Sequence, residues 1–148
     1  MRQRQAGFTL IEIMAVVLII GMLTGMVGLA VWRQVDSAKV RSTRSQIKLL
    51  EGVLEAYRMD NASFPSTEQG LTALVQPPPE ARNADPRGYL SERRVPNDGW
   101  GRPFQYEAPG QHNTDAFDLW SLGADGTPGG NGNDADIGNW IEGQEQAG

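Results

Sequence analysis

The residues best suited to chemistry are three aspartates in a glycine-rich stretch near the C-terminus. Residues 123–138 contain six glycines together with Asp125, Asp134 and Asp136. Because residues 103–148 include no Lys or Arg, these carboxylates would repel one another in the absence of a cation. Oxygen ligands on a pliable loop suit Ca²⁺, which takes about six to eight of them. The stretch is therefore either a calcium-binding loop, ordered by its ion, or a solvated acidic loop.

Composition limits other site chemistry. The 148 residues include no cysteine and a single histidine, His112, which excludes disulfides, thiol catalysis and multi-histidine metal sites. A triad could be drawn from His112, Ser121 and either Asp115 or Asp118, but no nucleophile-elbow motif accompanies it. The net charge is −5, whereas proteins that bind nucleic acid usually carry a basic excess. We therefore predict neither an enzyme nor a nucleic-acid binding protein.

A fourth carboxylate, Glu12, lies in an apolar N-terminal segment and is the only charge in residues 8–32. A carboxylate inside a membrane helix costs about 2.5–3.5 kcal/mol, so it needs a partner or must reach the polar interface. Cleavage between Gly7 and Phe8 would create an α-amine one helical turn from Glu12. That amine could reach the Glu12 carboxylate of an axially staggered neighbouring copy. The spacing alone leaves the paired and the interfacial carboxylate both open.

The element that carries Glu12 is predicted to be a membrane helix. Residues 13–32 form an uncharged run of 20 residues in which Thr24 is the one clearly polar member. Such a run gives a helix of about 30 Å, the thickness of the hydrocarbon core. Trp32 and Arg33 at its end suit the membrane interface. The alternative is a secretory signal peptide cut after Gly28-Leu29-Ala30, a small-x-small site.

The helix is expected to continue beyond the membrane to about Asp60. No proline occurs in residues 8–64, and Pro65 follows the expected end. Apolar residues recur at helical spacing and should pack on a globular domain: Ile47, Leu50, Leu54 and Tyr57. The basic cluster of residues 33–48 should face solvent, lipid headgroups or neighbouring subunits.

The rest of the chain, residues 61–148, predicts a small α/β domain. Ser66 and Gln69 have capping-box spacing ahead of a short helix. Alternating polarity predicts three short antiparallel strands: residues 103–107, 116–122 and 137–141. The predicted fold class is α+β, with a long N-terminal α-helix packed against a small antiparallel β-sheet.

The N-terminal sequence Gly7-Phe8-Thr9-Leu10-Ile11-Glu12, followed by the apolar helix, resembles the signature of type IV prepilins. The resemblance implies cleavage between Gly7 and Phe8 by a prepilin peptidase, N-methylation of Phe8, and a role for Glu12 in subunit assembly. It also implies a single-pass protein of the bacterial inner membrane with a cytoplasmic N-terminus. Two basic residues before the helix against five in residues 33–48 would give the opposite orientation, and we follow the family.

Four further stretches are similar to the major pseudopilin of type II secretion systems: Thr67-Glu68-Gln69-Gly70-Leu71, Asp98-Gly99-Trp100-Gly101-Arg102-Pro103, Ser121-Leu122-Gly123-Ala124-Asp125-Gly126 and Ala135-Asp136-Ile137-Gly138-Asn139-Trp140. The resemblance implies a structural subunit that polymerises into a periplasmic pseudopilus and drives export of folded proteins across the outer membrane. The alternative is a type IV pilin of a surface pilus, although many such pilins contain a C-terminal disulfide. Gly99 departs from the proline that the family more often carries after Asp98.

The resemblance divides the chain into four parts: residues 1–7, a cleaved cytoplasmic leader; 8–32, the transmembrane and assembly helix; 33–60, its periplasmic half; and 61–148, a periplasmic domain with the acidic loop 122–140. It implies a filament of identical subunits as the main assembly. Minor pseudopilins, the prepilin peptidase, an inner-membrane assembly platform and membrane lipid are the further partners that it implies.

Carried over by position, the resemblance also implies a calcium site in the acidic loop. Asp125 and Asp136 would be side-chain ligands, and Leu122 and Thr127 would be main-chain carbonyl ligands. Asp134, which falls in a segment of variable length in the family, is a further candidate. We therefore expect a calcium-stabilised C-terminal loop where many pilins have a disulfide.

Overall fold

The structure is a computed structural model that describes residues 8–81 and 83–140, without the side chains of residues 26–34. The chain divides into two compact units, residues 1–36 and residues 37–148. Helix α1, Leu10–Asn61, comprises 52 residues and contributes to both units. The helix ends one residue after the predicted Asp60, so its C-terminal end is confirmed.

The first unit contains the N-terminal part of α1. Phe8 is 84% exposed, and the large apolar side chains that follow it as far as Leu23 are exposed as well. The described residues include no helix that combines the length and the hydropathy of a membrane span. Residues 1–7, the predicted leader, lie outside the described residues, as do the side chains at the end of the predicted membrane helix.

In the second unit, α1 contributes the predicted apolar stripe to the core. The four stripe residues Ile47, Leu50, Leu54 and Tyr57 are all buried. They belong to one cluster with apolar residues from the loops and the sheet: Leu71, Leu74, Leu90, Phe104, Phe117, Leu119 and Ile137. Burial of this stripe stabilises the second half of α1, because a helix in water depends on tertiary packing for most of its stability.

Three short antiparallel strands form one sheet in the order β1-β2-β3: β1 is Gln105–Glu107, β2 is Asp118–Ser121 and β3 is Ile137–Gly138. Tyr106 lies opposite Leu119 in the first pair, and Trp120 lies opposite Gly138 in the second. The strands are shorter than predicted. Since Leu119 and Ile137 join the core cluster, the predicted α+β architecture of a long helix and a small antiparallel sheet is confirmed.

The predicted capping box precedes the short helical segment. The Ser66 N–H donates to Gln69 Oε1 (2.9 Å), and the Gln69 N–H donates to Ser66 Oγ (3.2 Å). The helix that follows is a single 3₁₀ turn, Leu71–Leu74, which places two leucines in the core. Pro77 follows closely and leaves no room for a longer helix.

Candidate functional site

The acidic loop between β2 and β3 folds back on itself. The Ala124 N–H donates to the Asn133 carbonyl (2.9 Å), and the Asp136 N–H donates to the Gly129 carbonyl (3.1 Å). Gly123 has a φ of 65°, and a Cβ there would lie 2.7 Å from backbone oxygens of the returning segment. This glycine is therefore required by the close approach of two backbones as well as by its positive φ.

Asp125 and Asp136 use their carboxylates differently. The exposed Asp125 carboxylate accepts from the Thr127 hydroxyl (2.7 Å) and N–H (3.0 Å), and these bonds lower the pKa of Asp125. Asp136 Oδ2 accepts from the Gly129 N–H (2.9 Å), whereas Asp136 Oδ1 is buried without a hydrogen-bond partner among the described residues. A buried carboxylate oxygen is rarely left unpaired, and a water, another hydrogen-bond donor or a cation would each be a suitable partner for this atom.

The remaining candidate ligands lie at other points of the loop. Leu122 is half-buried directly after β2, Thr127 is exposed, and Asp134 is exposed at the end of a short 3₁₀ helix. Within residues 8–81 and 83–140, no three His, Asp or Glu side chains form a group that could hold a metal ion. The structure thus does not gather the three aspartates. An ion here would depend on main-chain carbonyls too, which Ca²⁺ accepts readily.

A cation to which no sequence pattern pointed, Arg102, contacts this loop. Arg102 Nη1 donates to the Gly123 carbonyl (2.6 Å), and Arg102 Nη2 donates to the Ala124 carbonyl (2.8 Å). Arg102 immediately precedes the long stretch without Lys or Arg. Its guanidinium therefore supplies positive charge to a loop whose own residues supply none.

A buried carboxylate, Asp98, holds the turn that carries Arg102. Asp98 is 6% exposed, and its Oδ1 accepts from the N–H groups of Trp100 (2.9 Å) and Arg102 (2.8 Å). Asp98 Oδ2 accepts from the Ser121 hydroxyl (2.6 Å). Because Ser121 donates to Asp98, it is not paired with His112 as a nucleophile would be.

The same turn rests directly on α1. The Gly99 N–H donates to Oγ1 of the fully buried Thr43 (2.9 Å). A Cβ on Gly99 would collide with the Lys39 carbonyl. Glycine at this position therefore supplies both the donor and the space that this contact uses.

His112 pairs with a buried carboxylate, Asp118, which is 2% exposed. Asp118 accepts from the backbone N–H groups of Gln111 (2.8 Å), His112 (2.8 Å) and Asn113 (2.9 Å), and its Oδ2 lies 2.9 Å from His112 Nδ1. The imidazole also stacks on Trp140 with a centroid distance of 4.0 Å. Asp118 therefore organises a turn, and its contacts explain the pairing without catalysis.

At the N-terminus, Glu12 closes a capping box with Thr9. The N–H and hydroxyl of Thr9 donate to Glu12 Oε2 (2.8 and 2.9 Å), and the Glu12 N–H donates to Thr9 Oγ1 (3.3 Å). The pattern Thr-x-x-Glu is a capping-box signal that the sequence analysis did not use. Phe8 lies just before this box, and Gly7 lies outside the described residues.

Known proteins match almost the whole chain. The family described as "Type II secretion system (T2SS), protein G" matches residues 30–140, and the prokaryotic N-terminal methylation motif matches residues 2–28. A type II secretion system core protein G of Pseudomonas aeruginosa is 50% identical over 142 residues, which are 94% of this chain and 97% of that protein. A protein of the same description from Vibrio cholerae is 44% identical over 140 residues, 93% of each chain.

A solved structure of a type II secretion protein is also similar to this chain. The crystal structure of the major pseudopilin from the type 2 secretion system of enterohaemorrhagic Escherichia coli aligns with a TM-score of 0.61 and 44% identity. The alignment covers 72% of this chain and 90% of that one. With the geometry of the second unit and the N-terminal motif taken together, the chain belongs to the protein G family of type II secretion systems.

Proposed function

We propose that this protein is the major pseudopilin of a type II secretion system, a structural subunit that polymerises into a periplasmic pseudopilus. The filament would drive export of folded proteins across the outer membrane. The observation that carries this function is the family match over residues 30–140, directly preceded by the N-terminal methylation motif. The same match favours a pseudopilin over a type IV pilin of a surface pilus.

In this proposal the N-terminal segment is first a membrane anchor and then an assembly surface. A prepilin peptidase cuts between Gly7 and Phe8, and the new amine is methylated. The exposed apolar side chains from Phe8 to Leu23 exceed what a soluble monomer usually leaves uncovered, which supports burial in the inner membrane and later against neighbouring helices. The N-terminus lies in the cytoplasm and residues 33–148 lie in the periplasm. Minor pseudopilins and an assembly platform complete the system.

Glu12 sets the stagger between subunits by pairing with the Phe8 amine of a neighbouring copy. The capping box with Thr9 supports this role, because it holds the Glu12 carboxylate at the N-terminal end of α1, one turn from Phe8. In the filament the neighbour's amine would share or replace the contact with Thr9. Subunits can therefore assemble in register only after cleavage has created the Phe8 amine with which Glu12 pairs.

The acidic loop binds Ca²⁺ in this proposal. Asp125 and Asp136 are the carboxylate ligands, Leu122 and Thr127 contribute carbonyls, and Asp134 is a further candidate. Asp136 Oδ1 supports the site: it is buried, no described residue gives it a hydrogen bond, and an ion would supply that partner. When bound, the ion would supply positive charge that tethers the loop.

Export and filament assembly test the function in the bacterium that encodes the chain. Deletion of the gene should abolish export of a type II cargo, and wild-type protein should restore it. Glu12→Gln should not restore export or filaments, whereas Glu68→Gln, the same change at an exposed glutamate, should restore both. Normal export after deletion, with loss of surface pili or motility instead, would favour the type IV pilin.

Melting of the full chain in detergent tests the ion. At a Ca²⁺ concentration about 100 times the dissociation constant, a bound ion stabilises by about 2.7 kcal/mol, so EGTA should lower the melting temperature. Asp136→Asn should remove this difference, and Asp115→Asn, at an exposed position outside the loop, should preserve it. An unchanged wild-type melting temperature in EGTA would exclude the site.

A further inference from the structure

We infer that Arg102 is an internal cation of the acidic loop: its guanidinium holds residues 123–126 in one shape before any ion binds, and thereby raises the affinity of the loop for Ca²⁺. The calcium part of this inference rests on the proposed function above. The part about the metal-free loop rests on the contacts of Arg102 alone.

The guanidinium contacts the first turn of the loop at several points. Its two terminal nitrogens donate to consecutive carbonyls, those of Gly123 (2.6 Å) and Ala124 (2.8 Å). Gly126, with a φ of 71°, continues the turn around the same group, because a Cβ there would lie 2.8 Å from Arg102 Cζ. A planar fork with fixed donors suits two neighbouring acceptors, and a lysine ammonium cannot reproduce that geometry.

The backbone of Arg102 is held by hydrogen bonds to Asp98. Its N–H donates to Asp98 Oδ1 (2.8 Å), and its carbonyl accepts from the Asp98 N–H (2.8 Å). Asp98 is buried and also accepts from Ser121 at the end of β2, the strand that leads into the loop. The backbone of Arg102 is therefore held by a hydrogen-bonded turn, and its side chain is ordered by its own two contacts with the loop.

Two effects of this arginine on Ca²⁺ affinity oppose each other. Its positive charge repels a cation, whereas its hydrogen bonds remove part of the entropy that a glycine-rich turn would lose on binding. The guanidinium is half-buried and directs two donors at Gly123 and Ala124, neither of which is a proposed calcium ligand. The charge of Arg102 also acts on Asp125, a proposed ligand. In this inference ordering of the turn outweighs the repulsion, so loss of Arg102 should weaken binding.

Hydrogen exchange of the full chain in detergent, with EGTA present, tests the metal-free loop. Arg102→Gln and Arg102→Lys should both accelerate amide exchange in residues 122–136 about tenfold, because each loses the paired donors. Arg87→Gln, which removes an arginine from an exposed ion pair with Asp85, should leave the exchange of the loop unchanged. Equal acceleration throughout residues 47–57 of α1 would show a global stabilising role and overturn the inference, as would wild-type exchange of the loop in Arg102→Gln.

Titration with Ca²⁺ tests the second part. Arg102→Gln and Arg102→Lys should both bind Ca²⁺ about tenfold more weakly than wild type, and saturating Ca²⁺ should restore slow exchange in the loop. Tighter binding by Arg102→Gln would overturn the inference, because repulsion would then dominate. If the wild type binds no Ca²⁺, the calcium proposal fails, whereas the exchange comparison in EGTA still decides whether Arg102 orders the loop.

Discussion

Replacement of Asp118 with asparagine should destabilise the protein strongly at pH 7. Three backbone N–H groups and His112 Nδ1 approach the two oxygens of this buried carboxylate. Asparagine preserves the volume but presents an amide NH₂ in place of one oxygen. At best its remaining oxygen replaces Oδ2, and the N–H of Asn113 then faces another donor.

The magnitude follows from these contacts. One buried N–H without an acceptor costs about 1–3 kcal/mol, and each remaining bond weakens by about 1 kcal/mol when its acceptor loses its charge. The neutral amide is easier to bury than the carboxylate, which offsets part of this sum. We therefore expect a loss of about 3 kcal/mol in the free energy of unfolding.

The pH dependence of unfolding tests separately whether the ionised Asp118 carboxylate stabilises the folded protein. Burial acts to raise the pKa of Asp118, but the donors from His112, Asn113 and Gln111 outweigh burial and hold the pKa below its usual value. A carboxyl group whose pKa is depressed in the folded state stabilises above its unfolded pKa of about 3.9, and loses that contribution as the pH falls through the folded value. The deficit of Asp118→Asn should therefore shrink below about pH 4.

Denaturant unfolding in detergent, followed by tryptophan fluorescence, measures both effects. Asp115→Asn is the matched control, because this exposed carboxylate lies three residues away and should change stability by less than about 0.5 kcal/mol. A deficit for Asp118→Asn no larger than that of the control, or one that grows as the pH falls below about 4, would refute the reasoning.

Two further predictions concern packing. Leu54→Ala should lower the free energy of unfolding by about 2–5 kcal/mol because Leu54 is fully buried in the core, and Leu49→Ala, at a position 49% exposed on the same helix, should cost less than about 1 kcal/mol. Gly123→Ala should lower the melting temperature more than Gly132→Ala. Both glycines have φ near 60°, but only at Gly123 would a Cβ meet backbone atoms, so equal shifts would contradict the packing assigned to the loop.

The helix and its core contacts could be predicted because their cause is local and periodic. Apolar residues at helical spacing, such as Leu50 and Leu54, can reach a core only on one face of α1. The strands were located by alternation but predicted too long. Pro103, predicted to begin the first strand, forms an isolated bridge with Asn97, and β1 begins at Gln105.

The partners of the site residues could not be predicted, because sequence spacing does not show which distant groups will meet. Asp125 and Asp136 are recognisable as oxygen donors in a glycine-rich loop. The contact from Arg102 to Gly123 joins residues 21 apart, and that from Thr43 to Gly99 joins residues 56 apart. Thr43 stood in a basic cluster expected to be exposed, yet it is fully buried because a backbone lies against it.

The contact between Gly99 and α1 has a mechanical consequence. No side chain separates the two backbones there, so the helix cannot slide lengthwise past the turn without a collision at Lys39 and rupture of the bond to Thr43. A load pulling along α1 is therefore resisted in shear at this point. The load is transmitted from this turn to β2 through the hydrogen bond between Asp98 and Ser121. The domain should therefore move together with its helix under tension and not separate from it.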